Sequence, residues 1–275
     1  MGLGGLSVPT PTLFDLEGAF DPERTTEFLR GLSDTGVDHL FLLGTLGEFT
    51  SLSDSERRGL LRAGSDALRS RTDLWVGVGA PATARAVAYA REAQAASAAA
   101  LLAVPPYYLH PTEASILAYY RAIHSAVGLP LLAYNIPAKV GYSLSAALVH
   151  RLAADGAIVG MKDTSGSLES VAGFLRGAPA GFAVFPGDDA LSSGAIALGA
   201  AGAVMGTANI APRLALELVR SAGSADSGRT ARLQELVDRV SAAVAQGPFP
   251  SSVKFLANAW RQAPDGYRAP YDPLT

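Results

Sequence analysis

Three of the 22 basic residues in this 275-residue chain are lysine: Lys139, Lys162 and Lys254. A sequence that otherwise writes its positive charge as arginine keeps lysine where a guanidinium cannot serve, and nucleophilic attack by a neutral amine is one such task. Lys162 directly follows an apolar run, Ala157 to Met161. An apolar, low-dielectric wall disfavours the charged form of an amine, and a neutral amine adds to a ketone carbon to give an imine. The protonated imine is an electron sink that stabilises an adjacent enamine, so a carbon–carbon bond can form or break there. The steps need a proton shuttle, which a tyrosine hydroxyl relayed by a threonine can supply. They also need an anion cradle, which the amides of a glycine-bounded turn such as Gly44 to Gly47 can supply. The competing reading makes Lys162 an ion-pair partner of its neighbour Asp163. Lys254, in a helical stretch, reads as solvated or capping.

The elements that must position these groups alternate along the chain. Short apolar runs occur near Leu6 to Val8 and at Val37 to Leu43, Leu74 to Val78, Ala99 to Val104, Pro130 to Tyr134, Ala157 to Met161, Phe182 to Phe185 and Ala203 to Met205. Continuously apolar strands separated by helices predict a parallel sheet buried on both faces. Helix starts lie between them. Asp21-Pro22-Glu23 sets a cap before a proline, Ser53 to Glu56 has capping-box spacing with a looser version at Thr83, and Pro111-Thr112-Glu113 and Ser143 to Ala147 open two more. Ala211 to Ser221, Arg229 to Ala245 and Pro250 to Trp260 predict three further helices.

The fold class is therefore α/β, a (β/α)8 barrel with additional C-terminal helices. Residues 1–222 form the barrel and 223–275 a helical extension packed on it as one structural unit. An open doubly wound sheet would ask for a glycine-rich turn after the first strand, where Thr10-Pro11-Thr12 stands instead. Active sites of such barrels gather at the C-terminal ends of the strands. Those ends offer Thr45, Gly47 and Glu48, then Tyr107 and Tyr108, Tyr134 and Asn135, Lys162 and Asp163, Gly187, Asp188 and Asp189, and finally Gly206, Thr207 and Asn209.

Composition excludes other classes. A net charge of −3 carries no basic nucleic-acid footprint, and the absence of cysteine removes thiolate metal sites and cysteine nucleophiles. The four histidines lack metal-ligand spacing, so no metal is expected. Asp188-Asp189 reads as a helix cap. Met1 to Pro11 has no basic n-region and no apolar run long enough for a signal peptide, and no apolar stretch approaches the ~20 residues of a membrane span. A cytoplasmic location is the expectation.

At these strand ends the sequence resembles the dihydrodipicolinate synthase / N-acetylneuraminate lyase family, from about Val8 to Leu274. Gly44-Thr45-Leu46-Gly47-Glu48 is similar to its G-[TS]-T-G-E. Pro106-Tyr107-Tyr108 resembles P-Y-Y, Tyr134-Asn135-Ile136-Pro137 matches Y-N-x-P, Gly160 to Gly166 resembles the Schiff-base lysine motif, and Gly187-Asp188-Asp189 matches G-[SD]-D. The resemblance implies that Lys162 forms the imine with pyruvate or a related keto acid, with no cofactor. Tyr134 would be the general acid/base, and Thr45 would link it to Tyr108, which enters from a neighbouring subunit. A homo-oligomer, a dimer of dimers, is thereby implied.

The Thr45–Leu46 backbone would hold the keto-acid carboxylate, and Gly47, Lys139, Gly187 and Val204 would line the substrate site. Leu46 stands where the family has a second hydroxyl, and Lys139 where the synthases have arginine. Val204, Met205 and Gly206 do not reproduce the polar set of the sialic acid lyases, and Gly47-Glu48-Phe49 is similar to keto-deoxyglucarate dehydratases. The implied activity is a pyruvate-linked aldolase or lyase acting on a 2-keto acid such as a 2-keto-3-deoxy sugar acid. The alternatives are the condensation of pyruvate with aspartate semialdehyde, and a non-catalytic keto-acid-binding member.

Overall fold

The structure is a computed structural model and describes residues 3–68, 72–224, 226–259 and 266–271. Its strands are β1 (Gly5–Pro9), β2 (His39–Leu42), β3 (Asp73–Gly77), β4 (Ala100–Ala103), β5 (Leu131–Asn135), β6 (Gly160–Asp163), β7 (Ala183–Pro186) and β8 (Gly202–Val204). They form one eight-stranded parallel sheet in the order β7-β6-β5-β4-β3-β2-β1-β8, the arrangement of a (β/α)8 barrel. The helices are α1 (Pro22–Ser33), α2 (Asp54–Ala67), α3 (Thr83–Ala95), α4 (Glu113–Val127), α5 (Pro137–Val140), α6 (Ala146–Ala154), α7 (Leu168–Leu175), α8 (Ser192–Ala197), α9 (Pro212–Ala222), α10 (Ser227–Val244) and α11 (Ser251–Ala259). The last three answer the expected C-terminal helices. Trp260, the expected end of the final one, and Leu274 lie outside the described residues.

Local chemistry explains most boundaries. Asp21 caps α1 by accepting from the Arg24 amide, with Pro22 in the first helical turn. Ser53 and Glu56 complete a capping box on α2. Thr112 and Ser145 cap α4 and α6. Thr83 does not cap: it is the first residue of α3, and Ala82 before it offers no side-chain acceptor.

The strand β6 begins three residues into its apolar run. Gly156 adopts φ 70°, its amide donates to Ala153 O, and the Ala157 amide donates to Leu152 O. These two bonds are a Schellman closure of α6. Ala157 is therefore spent ending the helix, and β6 begins at Gly160. The strand consequently runs on through Lys162 and Asp163, which the sequence pattern had set just beyond it.

Backbone packing defines two compact units. The first comprises Met1–Gly5 and Trp75–Val204. Its interior includes Trp75 edge-on to Phe185 (ring centroids 5.2 Å apart) and the Tyr119–Tyr120 pair on α4. Tyr119 donates to Val104 O and Tyr120 to Ala103 O, which ties α4 to the end of β4. Burial pushes the Tyr120 hydroxyl well above its ordinary range, so it remains a donor.

The second unit comprises Leu6–Leu74 and Met205–Thr275. Its core includes Phe14, Phe28, Leu29, Leu32 and Phe41. Arg268 closes over this core. Its guanidinium lies 4.2 Å from the Phe14 ring centroid and donates to Gly18 O, Ser51 O and the Glu56 carboxylate.

Candidate active site

Lys162 sits inside β6 with 5% of its surface exposed. The β5–β6 register sets Tyr134 opposite Lys162 and Asn135 opposite Asp163. On the other side, β7 sets Phe185 opposite Lys162. Register partners in parallel strands share a face, while successive residues alternate. The lysine is thus flanked on its own face by a tyrosine and a phenylalanine, both buried.

Lys162 Nζ donates to the Tyr134 hydroxyl at 3.0 Å and lies 4.1 Å from the Tyr134 ring centroid. A Cβ added to Gly187 would fall 2.4 Å from Lys162 Cε and 2.5 Å from Thr164 Oγ1. The glycine after β7 is therefore what leaves room for the lysine side chain. The Gly187 amide donates to Asp163 O at 2.7 Å and so carries the ladder one step past the lysine.

The reading of Lys162 as the ion-pair partner of Asp163 finds no support in the placement of the carboxylate. Asp163 accepts from Asn135 Nδ2 at 2.7 Å, from Ser165 Oγ at 2.7 Å and from the Ser165 amide at 3.3 Å. Its acceptors are engaged on the opposite face of the strand.

The other expected residues of this unit are more dispersed. Tyr108 follows β4 in a left-handed conformation (φ 76°) and is 90% exposed. Lys139 is exposed in the last turn of α5, a four-residue helix that the motif Y-N-x-P did not reveal. Val204 ends β8 and is fully buried. Tyr142 donates to Pro106 O at 2.6 Å and joins the segment after α5 to the tyrosine loop. Burial pushes its hydroxyl up to about 12. Asp188 caps the turn at Asp189, accepting from the Ala190 amide, as the sequence predicts.

In the second unit, Thr45, Leu46 and Gly47 form the turn after β2. Thr12 Oγ1 donates to Gly47 O at 2.7 Å, and a Cβ on Gly47 would lie 3.1 Å from Thr10 O. Leu46 is buried and Thr45 half-buried. Leu43 and Glu48, on either side of Gly44–Gly47, both have positive φ (60° and 52°). Side chains adopt that region at a cost, and only where the surroundings hold them in it.

At Glu48 the holder is Lys254. The two form an ion pair with both side chains 2% exposed, and Lys254 Nζ lies 4.3 Å from the Phe14 ring centroid. The solvated or capping role expected for Lys254 is corrected here. A lysine on α11 whose anion lies in another element gives no local signal in the sequence. Its rarity as a residue type was the available sign.

Among the described residues no group of three or more His, Asp or Glu side chains could hold a metal ion. A lysine amine and a phenol hydroxyl in contact on a buried strand face of a (β/α)8 barrel are the two groups that imine chemistry requires. The chain matches the Dihydrodipicolinate synthetase family over residues 2–275 and belongs to that family, whose members are lyases.

It is 33% identical to the 4-hydroxy-tetrahydrodipicolinate synthase of Thiobacillus denitrificans over 270 residues, covering 98% of this chain and 90% of that one. It is 33% identical to an uncharacterized DapA-like lyase of Halobacterium salinarum, covering 92% and 83%. The crystal structure of a dihydrodipicolinate synthase from Bacillus anthracis superposes with a TM-score of 0.94 at 26% identity, covering 100% and 94%. YagE, a prophage protein of the same family from E. coli K12 solved in complex with pyruvate, gives 0.92 at 28%, covering 99% and 94%.

Proposed function

We propose that this protein is a Schiff-base-forming, pyruvate-linked aldolase or lyase acting on a 2-keto acid such as a 2-keto-3-deoxy sugar acid. The observation that carries the reading is the 3.0 Å contact between Lys162 Nζ and the Tyr134 hydroxyl, with the neighbouring carboxylate engaged elsewhere. The Lys162 amine adds to C2 of the keto acid, and the proton it loses goes to the developing alkoxide through Tyr134. The carbinolamine then expels water, again with a proton from Tyr134, and leaves the imine. Breaking the C3–C4 bond of a longer keto acid, with the C4 hydroxyl proton passing to Tyr134, releases an aldehyde and leaves the enamine. Protonation at C3 and hydrolysis return pyruvate and the free amine.

Lys162, Tyr134, Thr45 and Tyr108 are the catalytic set in this reading, with Thr45 in the relay. Leu46, Gly47, Lys139, Gly187 and Val204 bind substrate. The chemistry runs through Lys162 without a bound cofactor, in the cytoplasm. No described helix is long and apolar enough to cross a membrane. The exposed Tyr108 and Leu109 favour a homo-oligomer, a dimer of dimers, in which Tyr108 serves a neighbouring copy.

The names of several relatives favour a second reading, condensation of pyruvate with aspartate semialdehyde. Lys139 there replaces the fork of an arginine by a point charge.

Borohydride reduction with pyruvate tests the first half-reaction. Mass spectrometry should find one adduct, on Lys162, absent from Lys162→Ala. An adduct that persists in the variant, or none in the native protein, overturns the proposal. Turnover with aspartate semialdehyde and not with keto-deoxy sugar acids selects the second reading.

A further inference from the structure

Behind the lysine–tyrosine pair lies a second pair, one register step further along the same two strands. Asn135 and Asp163 are opposite each other in the β5–β6 ladder and are 2% and 3% exposed. Their side chains lie on the face away from Lys162 and bond directly, Asn135 Nδ2 to Asp163 Oδ1 at 2.7 Å. Each is then tied to its surroundings. Asn135 Oδ1 accepts from the Leu144 amide at 3.0 Å, and Asp163 Oδ2 accepts from Ser165 Oγ at 2.7 Å.

The main chain closes around the same two residues. Thr164 N donates to Asn135 O at 2.9 Å, and Gly187 N to Asp163 O at 2.7 Å. Strand ends ordinarily fray, because the last ladder bonds have no neighbour beyond them. Here the buried Asn135 side-chain amide, costly to leave unmet, reaches the Asp163 carboxylate only when β5 and β6 keep this register.

We infer that Asn135 and Asp163 are positioning residues that fix the Tyr134–Lys162 spacing from the reverse side of the sheet. Neither touches the reacting atoms. They hold the two strand ends so that the amine and the hydroxyl meet at proton-transfer distance. The inference rests on the assignment of Lys162 and Tyr134 to imine formation.

The test measures the rate constant for the borohydride-trappable pyruvate adduct at saturating pyruvate, the half-saturating concentration, and the thermal midpoint. Asn135→Asp sets two carboxylates against each other. Asp163→Asn is the milder change and the one that will fold if the first does not. The exchange Asn135→Asp/Asp163→Asn restores one donor facing one carboxylate.

A misplaced reacting group costs on the order of 100-fold. The rate constant should therefore fall about 100-fold in Asn135→Asp and about 5-fold in Asp163→Asn, and return to within about 3-fold of native in the exchange. Half-saturation should stay within about twofold throughout, since orientation and not binding is disturbed. Native rate constants in both single variants, with only the thermal midpoint lowered, overturn the inference. So does an exchange variant that melts like the native protein yet remains as slow as Asn135→Asp. Failure of the native protein to form any adduct removes the underlying functional reading instead, and the two outcomes are distinct.

Discussion

The two buried lysines of this protein, one in each compact unit, rest on aromatic rings at nearly equal distance. Lys162 Nζ lies 4.1 Å from the Tyr134 centroid, and Lys254 Nζ 4.3 Å from that of Phe14. Their polar partners differ. Lys254 faces the Glu48 carboxylate, and Lys162 faces a phenol hydroxyl. A carboxylate favours a charged amine, whereas a hydroxyl at 3.0 Å can give or take a proton. Burial therefore does not by itself make a lysine a nucleophile. In the proposed function, the group across from it decides whether the amine is a fastener or a reagent.

The largest effect that would break this contrast is the loss of the hydroxyl. Tyr134→Phe keeps the ring and removes the hydroxyl proposed as the proton shuttle. Stopped-flow trapping of the pyruvate adduct should slow by about 10²–10⁴-fold with the fold intact. A change under about threefold would assign the proton transfers to another group.

Next comes the fastener. Lys254→Met leaves a buried carboxylate uncompensated, and denaturant melts should show a loss of about 3–5 kcal/mol. Glu48→Gln/Lys254→Met removes both charges and should recover most of that stability. A single variant within about 1 kcal/mol of native would mean that Glu48 holds its left-handed backbone without the lysine.

The smallest effect concerns the half-buried pair that shares the Phe14 ring with Lys254. The Arg268 hydrogen bond holds the Glu56 carboxyl at about 2, below its ordinary 4.5. Because the folded value is the lower one, this contribution is complete above about pH 4.5 and disappears as pH falls through about 2. Across that window the thermal midpoint of the native protein should fall further than that of Arg268→Gln. Parallel curves would show that the pair contributes nothing measurable, as many exposed ion pairs do.

The apolar runs marked all eight strands, and their ends marked Lys162 and Tyr134, because a parallel sheet buried on both faces leaves few other readings of such runs. Three features escaped for physical reasons. The start of β6 was misplaced because Ala157 is apolar yet belongs to a helix closure whose hydrogen bonds, not its hydropathy, set the boundary. The role of Lys254 escaped because its anion, Glu48, lies in a distant part of the sequence. The Asn135–Asp163 bond was likewise hidden: strand register is a property of two segments, and neither residue alone announces its partner. The capping motifs at Asp21, Ser53 and Thr112 were legible because donor and acceptor are three residues apart.

The short helix α5 carries Lys139 into solvent, while Lys162 is woven into a central strand. These two lysines therefore change on different terms. A mutation at α5 disturbs four residues and a turn; a mutation at β6 disturbs the ladder on both sides. Under the proposed function, descendants of this sequence can try out new aldehydes by rewriting α5 and its surroundings, and inherit the first half of the reaction unaltered while they do so.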